Sequence, residues 1–195
     1  ALAENDYGWV LSRMCMELDR MPNEYENFTL HTWIGGYNRL ISTRNFTLTD
    51  NEGNEFGRAV SHWCMLDFDT RMPVDMNTLA KVHDGTIVDA PSPCDGPKRL
   101  AAVDSEVAET HRVAYSDIDF NRHMNTMRYI DFAFDALPIE IPENLKAVRV
   151  DLNFMKEALY GDTLSLLHKE EESRHCFEFR NDAGESLCRM ALEIK

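Results

Sequence analysis

The sequence predicts an α+β protein of two similar units in tandem, each an antiparallel sheet closed around a helix. Three observations carry this: a hairpin pattern that recurs at a fixed offset, a helix candidate that is apolar around most of its circumference, and strands beside that helix whose apolar residues alternate. A length of 195 residues suits one large domain or two small ones, and an apolar fraction of 44% is enough to build a core.

The repeat comes first. Residues 46–58 (FTLTDNEGNEFGR) align without a gap to residues 177–189 (FEFRNDAGESLCR) at an offset of 131. Phe46 matches Phe177, Gly53 matches Gly184 and Arg58 matches Arg189, while Leu48 and Phe179, and Asp50 and Asn181, are similar in kind. Each copy reads as a strand, a polar turn carrying Gly, and a second long strand. In the first copy Phe56 leads into Ala59, Ser61, Trp63 and Met65 on one side; in the second, Ser186, Cys188, Met190, Leu192 and Ile194 share a face.

In the second half, residues 109–116 alternate and are expected to form a strand. Residues 125–137 (NTMRYIDFAFDAL) read as a helix that Pro138 ends. Its apolar side chains cover most faces, so it is expected to be buried. In 146–154 (KAVRVDLNF), Val148, Val150, Leu152 and Phe154 line one face, and Arg149, Asp151 and Asn153 the other. Residues 162–169 and 173–180 are further strands, with Gly161-Asp162 turning between neighbours. A strand, a buried helix and four antiparallel strands make a helix wrapped by a sheet, so the predicted fold is a tandem hot-dog. Its first domain is residues 1–97 and its second 98–195, joined by the Pro- and Gly-rich stretch 90–97. Projecting the helix back by the offset puts its counterpart at or before residue 6. The first domain is therefore expected to lack its first strand and most of its helix.

Composition removes several classes. The net charge is −14, with 34 acidic against 20 basic residues, which argues against a nucleic-acid binder. No run approaches the roughly 18 apolar residues of a membrane span. No signal peptide is read in the first residues. Five cysteines, an odd count without CxxC spacing, argue for a reducing compartment and against a disulfide framework or structural zinc.

The segment 115–130 (YSDIDFNRHMNTMRYI) carries the chemistry. Asp119, Asn121 and His123 occupy alternate positions, so in an extended segment they point the same way, with Phe120 and Arg122 opposite. The helix starts immediately afterwards, and its first N–H groups, near Asn125 and Thr126, could hold an oxyanion. An acid/base set beside an oxyanion site is what acyl transfer needs. The plainer reading also stands: Asp, Asn and His are common in turns, and Asn121 or Asn125 could simply cap the helix. A metal held by Asp119, His123 and a later Glu matches no familiar spacing, and no metal or other cofactor is expected.

The run DIDFNRHMNTMRYIDFAFDALP closely resembles the hallmark of plant and bacterial acyl-acyl carrier protein (acyl-ACP) thioesterases, Asp-x-Asp-x-Asn-x-His-(Val/Met)-Asn-Asn-x-x-Tyr-Ile followed by Pro. Asp117, Asp119, Asn121, His123, Asn125, Tyr129, Ile130 and Pro138 fit, and Thr126 stands where the family has a second Asn. The resemblance continues in the first half: GWVLSR (8–13), TW (32–33), RNFTLTDNEGNEFGRAVSHW (44–63) and DTRMP (69–73).

The resemblance implies a thioester hydrolase that releases free fatty acid from acyl-ACP and ends fatty acid synthesis, with its active site in the second domain. Carried over residue by residue, the catalytic set is Asp119, Asn121, His123 and Glu157. Glu157 takes the Glu of the family's Tyr-Arg-Arg-Glu-Cys stretch, and Ala158 stands where that stretch has Cys, so hydrolysis is expected to run without a cysteine nucleophile. Asp119 or Glu157 would act as base or nucleophile, His123 would protonate the leaving thiolate, and Asn121 would donate hydrogen bonds. Trp9, Trp33 and Met65 are candidates for the acyl-chain pocket in the first domain. The partner would be an acyl carrier protein bearing a phosphopantetheine-linked acyl chain. Such carriers are acidic, so docking on this acidic chain needs a local basic patch, with Arg112, Arg122, Arg128, Lys146, Arg149 and Lys156 as candidates. No nucleic acid or membrane span is expected, and the chain would be a monomer or homodimer. The setting would be bacterial cytoplasm, or plastid stroma if the source is a plant. The rival readings are a hot-dog acyl-CoA thioesterase, a 3-hydroxyacyl dehydratase, whose helix-borne acid would have to be Asp131 without a matching His, and a non-catalytic acyl-binding module.

Overall fold

The computed structural model describes residues 7–79 and 85–195. The chain divides into two compact units, residues 1–98 and 99–195. In the first unit four strands, β1 (Tyr7–Leu18), β2 (Thr29–Tyr37), β3 (Ser42–Thr49) and β4 (Glu55–Asp67), form an antiparallel sheet in the order β2-β3-β4-β1. Its only helical turn among the described residues is Met76–Leu79, and the projected first-half helix lies outside them. The join region packs on this unit: Val88 N–H donates to the Ile34 carbonyl at 2.9 Å, and Cys15 Sγ to the Asp95 carbonyl at 3.2 Å.

The second unit runs β5 (Val107–Arg112), α1 (Thr126–Asp135), α2 (Glu140–Glu143), β6 (Val148–Phe154), β7 (Thr163–Glu171), β8 (Arg174–Asn181) and β9 (Ser186–Ile194). Its strands pair antiparallel in the order β6-β9-β8-β7-β5. The strand expected over 109–116 ends at Arg112, because Tyr115–Asp117 winds into a 3-10 turn. The expected helix 125–137 is α1, and Asn125 lies outside it as the N-cap, its side chain accepting from Met127 N–H at 2.9 Å.

Helix α1 lies against the apolar face of the sheet. The Tyr129 ring meets Phe154 of β6 edge-on at 5.9 Å and Phe179 of β8 at 5.1 Å. Tyr129, Ala133 and Leu137 are buried along one line, with Val150, Leu152, Phe177, Met190 and Leu192 buried across the sheet. Burying each of the Val, Leu, Phe and Met side chains in this set stabilises the fold by about 1.5–3 kcal/mol. The helix is not buried on every side, since Met127 is 56% exposed. Burial of one line suffices to dock it.

Strand β6 corrects the expectation for Arg149. Its polar face is as buried as its apolar one. Arg149 is only 4% exposed, and its guanidinium grips Asp151 at 2.8 and 3.1 Å. A buried ion pair cannot serve as a docking contact. Further along the same face, Asn153 Oδ1 accepts from Leu100 N–H at 2.9 Å, and the buried Glu178 carboxylate accepts from Val103 N–H at 2.7 Å. The segment leading into the second unit is thereby strapped across the sheet.

Candidate active site

The stretch after β5 is pinned at its base. Val113 N–H donates to the Asp162 carbonyl at 2.8 Å, and Gly161 N–H returns to the Val113 carbonyl at 2.9 Å. The chain then turns into the buried Asp117 and folds back on itself. Asn125 N–H donates to the Asp117 carbonyl at 2.8 Å, Ile118 and Met124 form a β-bridge, and Asp119 N–H donates to the His123 carbonyl at 2.8 Å.

Residues 119–123 are therefore a tight turn and not an extended segment, which corrects the alternation argument. The cause is the Asp119 side chain. Its Oδ1 accepts from Asn121 N–H at 2.8 Å and His123 N–H at 3.2 Å, giving the backbone an alternative to extension. Arg122 closes the turn in the left-handed region, with φ of 68°. Phe120, at its tip, is 93% exposed.

His123 is brought to Glu157 by a second segment. His123 forms a β-bridge with Leu159, and Met124 N–H donates to the Ala158 carbonyl at 2.8 Å. This sets His123 Nε2 3.6 Å from Glu157 Oε2, with both side chains about one-third exposed. The parity of β6 could not give that direction, because Glu157 lies beyond the strand. Asn121, exposed, sits in the same turn.

At the start of α1 the roles divide. The Asn125 N–H is committed to Asp117, and Met127 N–H to the Asn125 side chain. The expected oxyanion position at Asn125 is therefore filled. Among the described residues the Thr126 N–H has no partner.

The proposed pocket residues are not all together. Trp9 and Met65 are directly paired across β1 and β4. Trp33 pairs with Asn45, which pairs with Val60. Met65 is an odd number of steps from Val60 on the unbroken β4, so Trp33 lies on the opposite face of the sheet from Trp9 and Met65.

The cations separate too. Arg128 is held by Asp117 at 2.9 Å and Asp131 at 2.7 Å, and Lys156 is paired with Glu185. Arg112 and Arg122 are exposed, and among the described residues neither has an ionic partner.

Burial raises the thiol pKa values of Cys64, Cys176 and Cys188, so none of these three is an activated thiolate. Among the described residues no three His, Cys, Asp or Glu side chains cluster as a metal site.

Asp117 is the residue whose role the sequence did not reveal. Burial alone would raise its carboxyl, but donors from Ala114, His111 and Arg128 outweigh that and hold it below the usual aspartate range. Its match to the motif is the one signal that could have marked it. His111 and Arg128 stand at no diagnostic spacing.

Comparison with known proteins adds the following. The family model described as the acyl-ACP thioesterase C-terminal domain matches residues 100–194, and the corresponding N-terminal domain model matches residues 1–79. The crystal structure of an acyl-ACP thioesterase from Bacteroides thetaiotaomicron superposes with a TM-score of 0.88 at 34% identity, covering 100% of this chain and 79% of that one. A 12:0-ACP thioesterase from Umbellularia californica has the same fold, with a TM-score of 0.87 at 20% identity over 100% of this chain and 77% of that one. An oleoyl-acyl carrier protein thioesterase of Coriandrum sativum is 26% identical over 176 residues, 84% of this chain and 47% of its own length. An acyl-[acyl-carrier-protein] hydrolase of Cuphea viscosissima is 24% identical over 166 residues, 80% of this chain. The chain spans 39% of that relative's length, so it matches less than half of each of these two curated relatives.

Proposed function

The chain belongs to the acyl-ACP thioesterase family, and from that premise we propose that it hydrolyses acyl-ACP to free fatty acid and carrier. The observation that carries this reading is the imidazole of His123 opposed to the Glu157 carboxylate at 3.6 Å, beside the Asp119 turn and the first turn of α1. An acid/base pair next to an open helix N-terminus supplies both proton transfer and charge stabilisation for a tetrahedral intermediate.

In the proposed reaction, Glu157 or Asp119 takes a proton from water as the water oxygen attacks the thioester carbonyl. The new oxyanion faces the Thr126 N–H. The C–S bond then breaks, and His123 gives a proton to the leaving phosphopantetheine thiolate. Asn121 donates to the substrate or to the attacking water. No cysteine of this chain takes part, in keeping with Ala158 and with the raised thiols of Cys176 and Cys188.

The carrier docks on the second unit through Arg112 and Arg122. Arg149 is buried, and Arg128 and Lys156 are engaged by acids. The exposed rings of Phe120 and Tyr160 flank the same loops and suit the apolar centre of an interface. Within the first unit, Trp9 and Met65, which share one face of the sheet, are the candidates for acyl-chain contact, and Trp33, on the other face, is not. Among the described residues no helix is long and apolar enough to cross a membrane. A carrier-dependent enzyme with free thiols belongs in bacterial cytoplasm, or in plastid stroma for a plant source, as a monomer or homodimer.

The test is fatty acid release from acyl-ACP and from acyl-CoA of the same chain length. Faster release from acyl-ACP is expected. Faster release from acyl-CoA would move the function to the CoA-dependent rival. Acyl binding without release from either would leave a binding module.

A further inference from the structure

Resting on the thioesterase reading, we propose that Asp117 is a positioning residue that, with His111 and Arg128, sets the geometry of the turn carrying Asp119 and His123. The turn is a ladder of three rungs: Asp117 to Asn125, Ile118 to Met124, and Asp119 to His123. The catalytic candidates sit at its outer end, so the placement of the innermost rung fixes theirs.

That innermost rung is anchored by one carboxylate. Asp117 Oδ2 accepts from His111 Nε2 at 2.7 Å and from Ala114 N–H at 2.8 Å, while Oδ1 accepts from Arg128 Nε at 2.9 Å. His111 belongs to β5 and Arg128 to α1, so the carboxylate ties the turn to the sheet edge and to the helix at once. The two cationic or donor groups are themselves fixed against one ring of α1: His111 lies 3.9 Å from Phe132, centroid to centroid, and the Arg128 guanidinium sits 4.9 Å from the same ring. Asp117 is 1% exposed, so it cannot touch substrate. Its three donors, two side chains and the Ala114 backbone N–H, require a group that accepts at both ends. An Asn would turn an NH₂ toward either Arg128 or the His111–Ala114 pair, setting donor against donor.

A purely structural carboxylate would affect stability alone. A positioning residue affects turnover in the folded protein, because a displacement of about 1 Å at the reacting groups can cost roughly 10²-fold in rate. The experiment uses the full chain with Asp117→Asn, His111→Ala and His111→Gln, assayed on acyl-ACP below each variant's Tm. The account expects kcat to fall roughly 10²-fold in Asp117→Asn with KM within about 3-fold of wild type. His111→Gln keeps a donor and is expected to retain more kcat than His111→Ala. Hydrogen exchange at the Asn121 and His123 amides, both bonded to Asp119, should speed up in Asp117→Asn while sheet amides stay protected. Full kcat in folded Asp117→Asn, or equal kcat in the two His111 variants, would overturn the proposal. If Asp117→Asn does not fold, the His111 pair decides. If wild type releases no fatty acid, the thioesterase reading fails by itself. The exchange experiment then decides, with unchanged protection at Asn121 and His123 overturning the clamp.

Discussion

The β3–β4 and β8–β9 hairpins fold to one register. Phe46 faces Ala59 as Phe177 faces Met190, Leu48 faces Gly57 as Phe179 faces Cys188, and each ladder slips one step before its turn. The turns match bond for bond. Asp50 N–H donates to the Asn54 carbonyl at 3.0 Å and Asn181 N–H to the Glu185 carbonyl at 3.0 Å, each beside a Gly of positive φ. The match extends to the neighbouring strands, where Leu18 of β1 faces Gly57 as Phe154 of β6 faces Cys188. The next residue out donates alike, Asp19 to the Phe56 carbonyl and Met155 to the Leu187 carbonyl, both at 2.9 Å. Two residues further on, the likeness ends: the first unit has Met21 where the second has Glu157. Pleat and turn chemistry repeat because they build the sheet. The residues just past the strand ends differ, and they carry the candidate chemistry.

The largest effect expected from this contrast is functional. His123→Ala should lower fatty acid release roughly 10²–10⁴-fold. Met21→Ala, at the position matching Glu157, should leave release near wild type. Comparable losses in both would break the assignment of the chemistry to the second unit.

A stability contrast comes next, at the matched arginines. Arg189 Nε donates to Glu178 Oε1 at 3.1 Å, and that carboxylate is 1% exposed. Arg58 meets Asp19 at 2.8 Å and Glu17 at 3.6 Å nearer the surface. Arg189→Ala removes one of the two arginines that hold a buried carboxylate, Arg180 remaining at 2.9 Å, and should cost about 2 kcal/mol, whereas Arg58→Ala should cost about 1 kcal/mol or less. Urea midpoints of the two variants check this, and equal shifts would contradict it.

Glu178 also sharpens the comparison through pH, since its matched residue is Thr47. Burial pushes the Glu178 carboxyl up, but Arg180, Val103 N–H and Arg189 together hold it at about 2, against an ordinary 4.5. A depressed folded value means the stabilisation is full above the unfolded value and lost as pH falls through the folded one. Wild type should thus lose stability between about pH 4.5 and 2, and Glu178→Gln should flatten that slope in urea titrations.

The smallest effect is at the turns. Gly53 has φ of 87° and Gly184 of 76°, with open space where a Cβ would go. Alanine at either should cost about 1 kcal/mol through backbone strain alone. Unequal thermal shifts would separate the two turns.

These elements were unevenly legible in the sequence. The hairpins were readable because a period-two pattern and a Gly turn act locally. The turn at 119–123 was not, because the Asp119 side chain bonds its own backbone and overrides an alternation that looks extended. Arg149 was misplaced because alternation marks a polar face without saying whether it meets solvent, and here an Asp151 partner lets it be buried. The Glu157 position came from family resemblance. Its meeting with His123 depends on a bridge between His123 and Leu159 that joins segments far apart in the chain. Asp117 was visible as a motif letter, while its partners lie on β5 and α1 at spacings that no local rule connects.

The most direct test of the central claim is the rate of fatty acid release from acyl-ACP by two proteins compared with wild type. One has all five cysteines replaced, by Ala at the buried Cys15 and Cys188 and by Ser elsewhere; the other is Glu157→Gln. The account predicts that the cysteine-free protein keeps near-wild-type release while Glu157→Gln loses roughly 10²-fold or more. Release lost with the cysteines and kept in Glu157→Gln would contradict it.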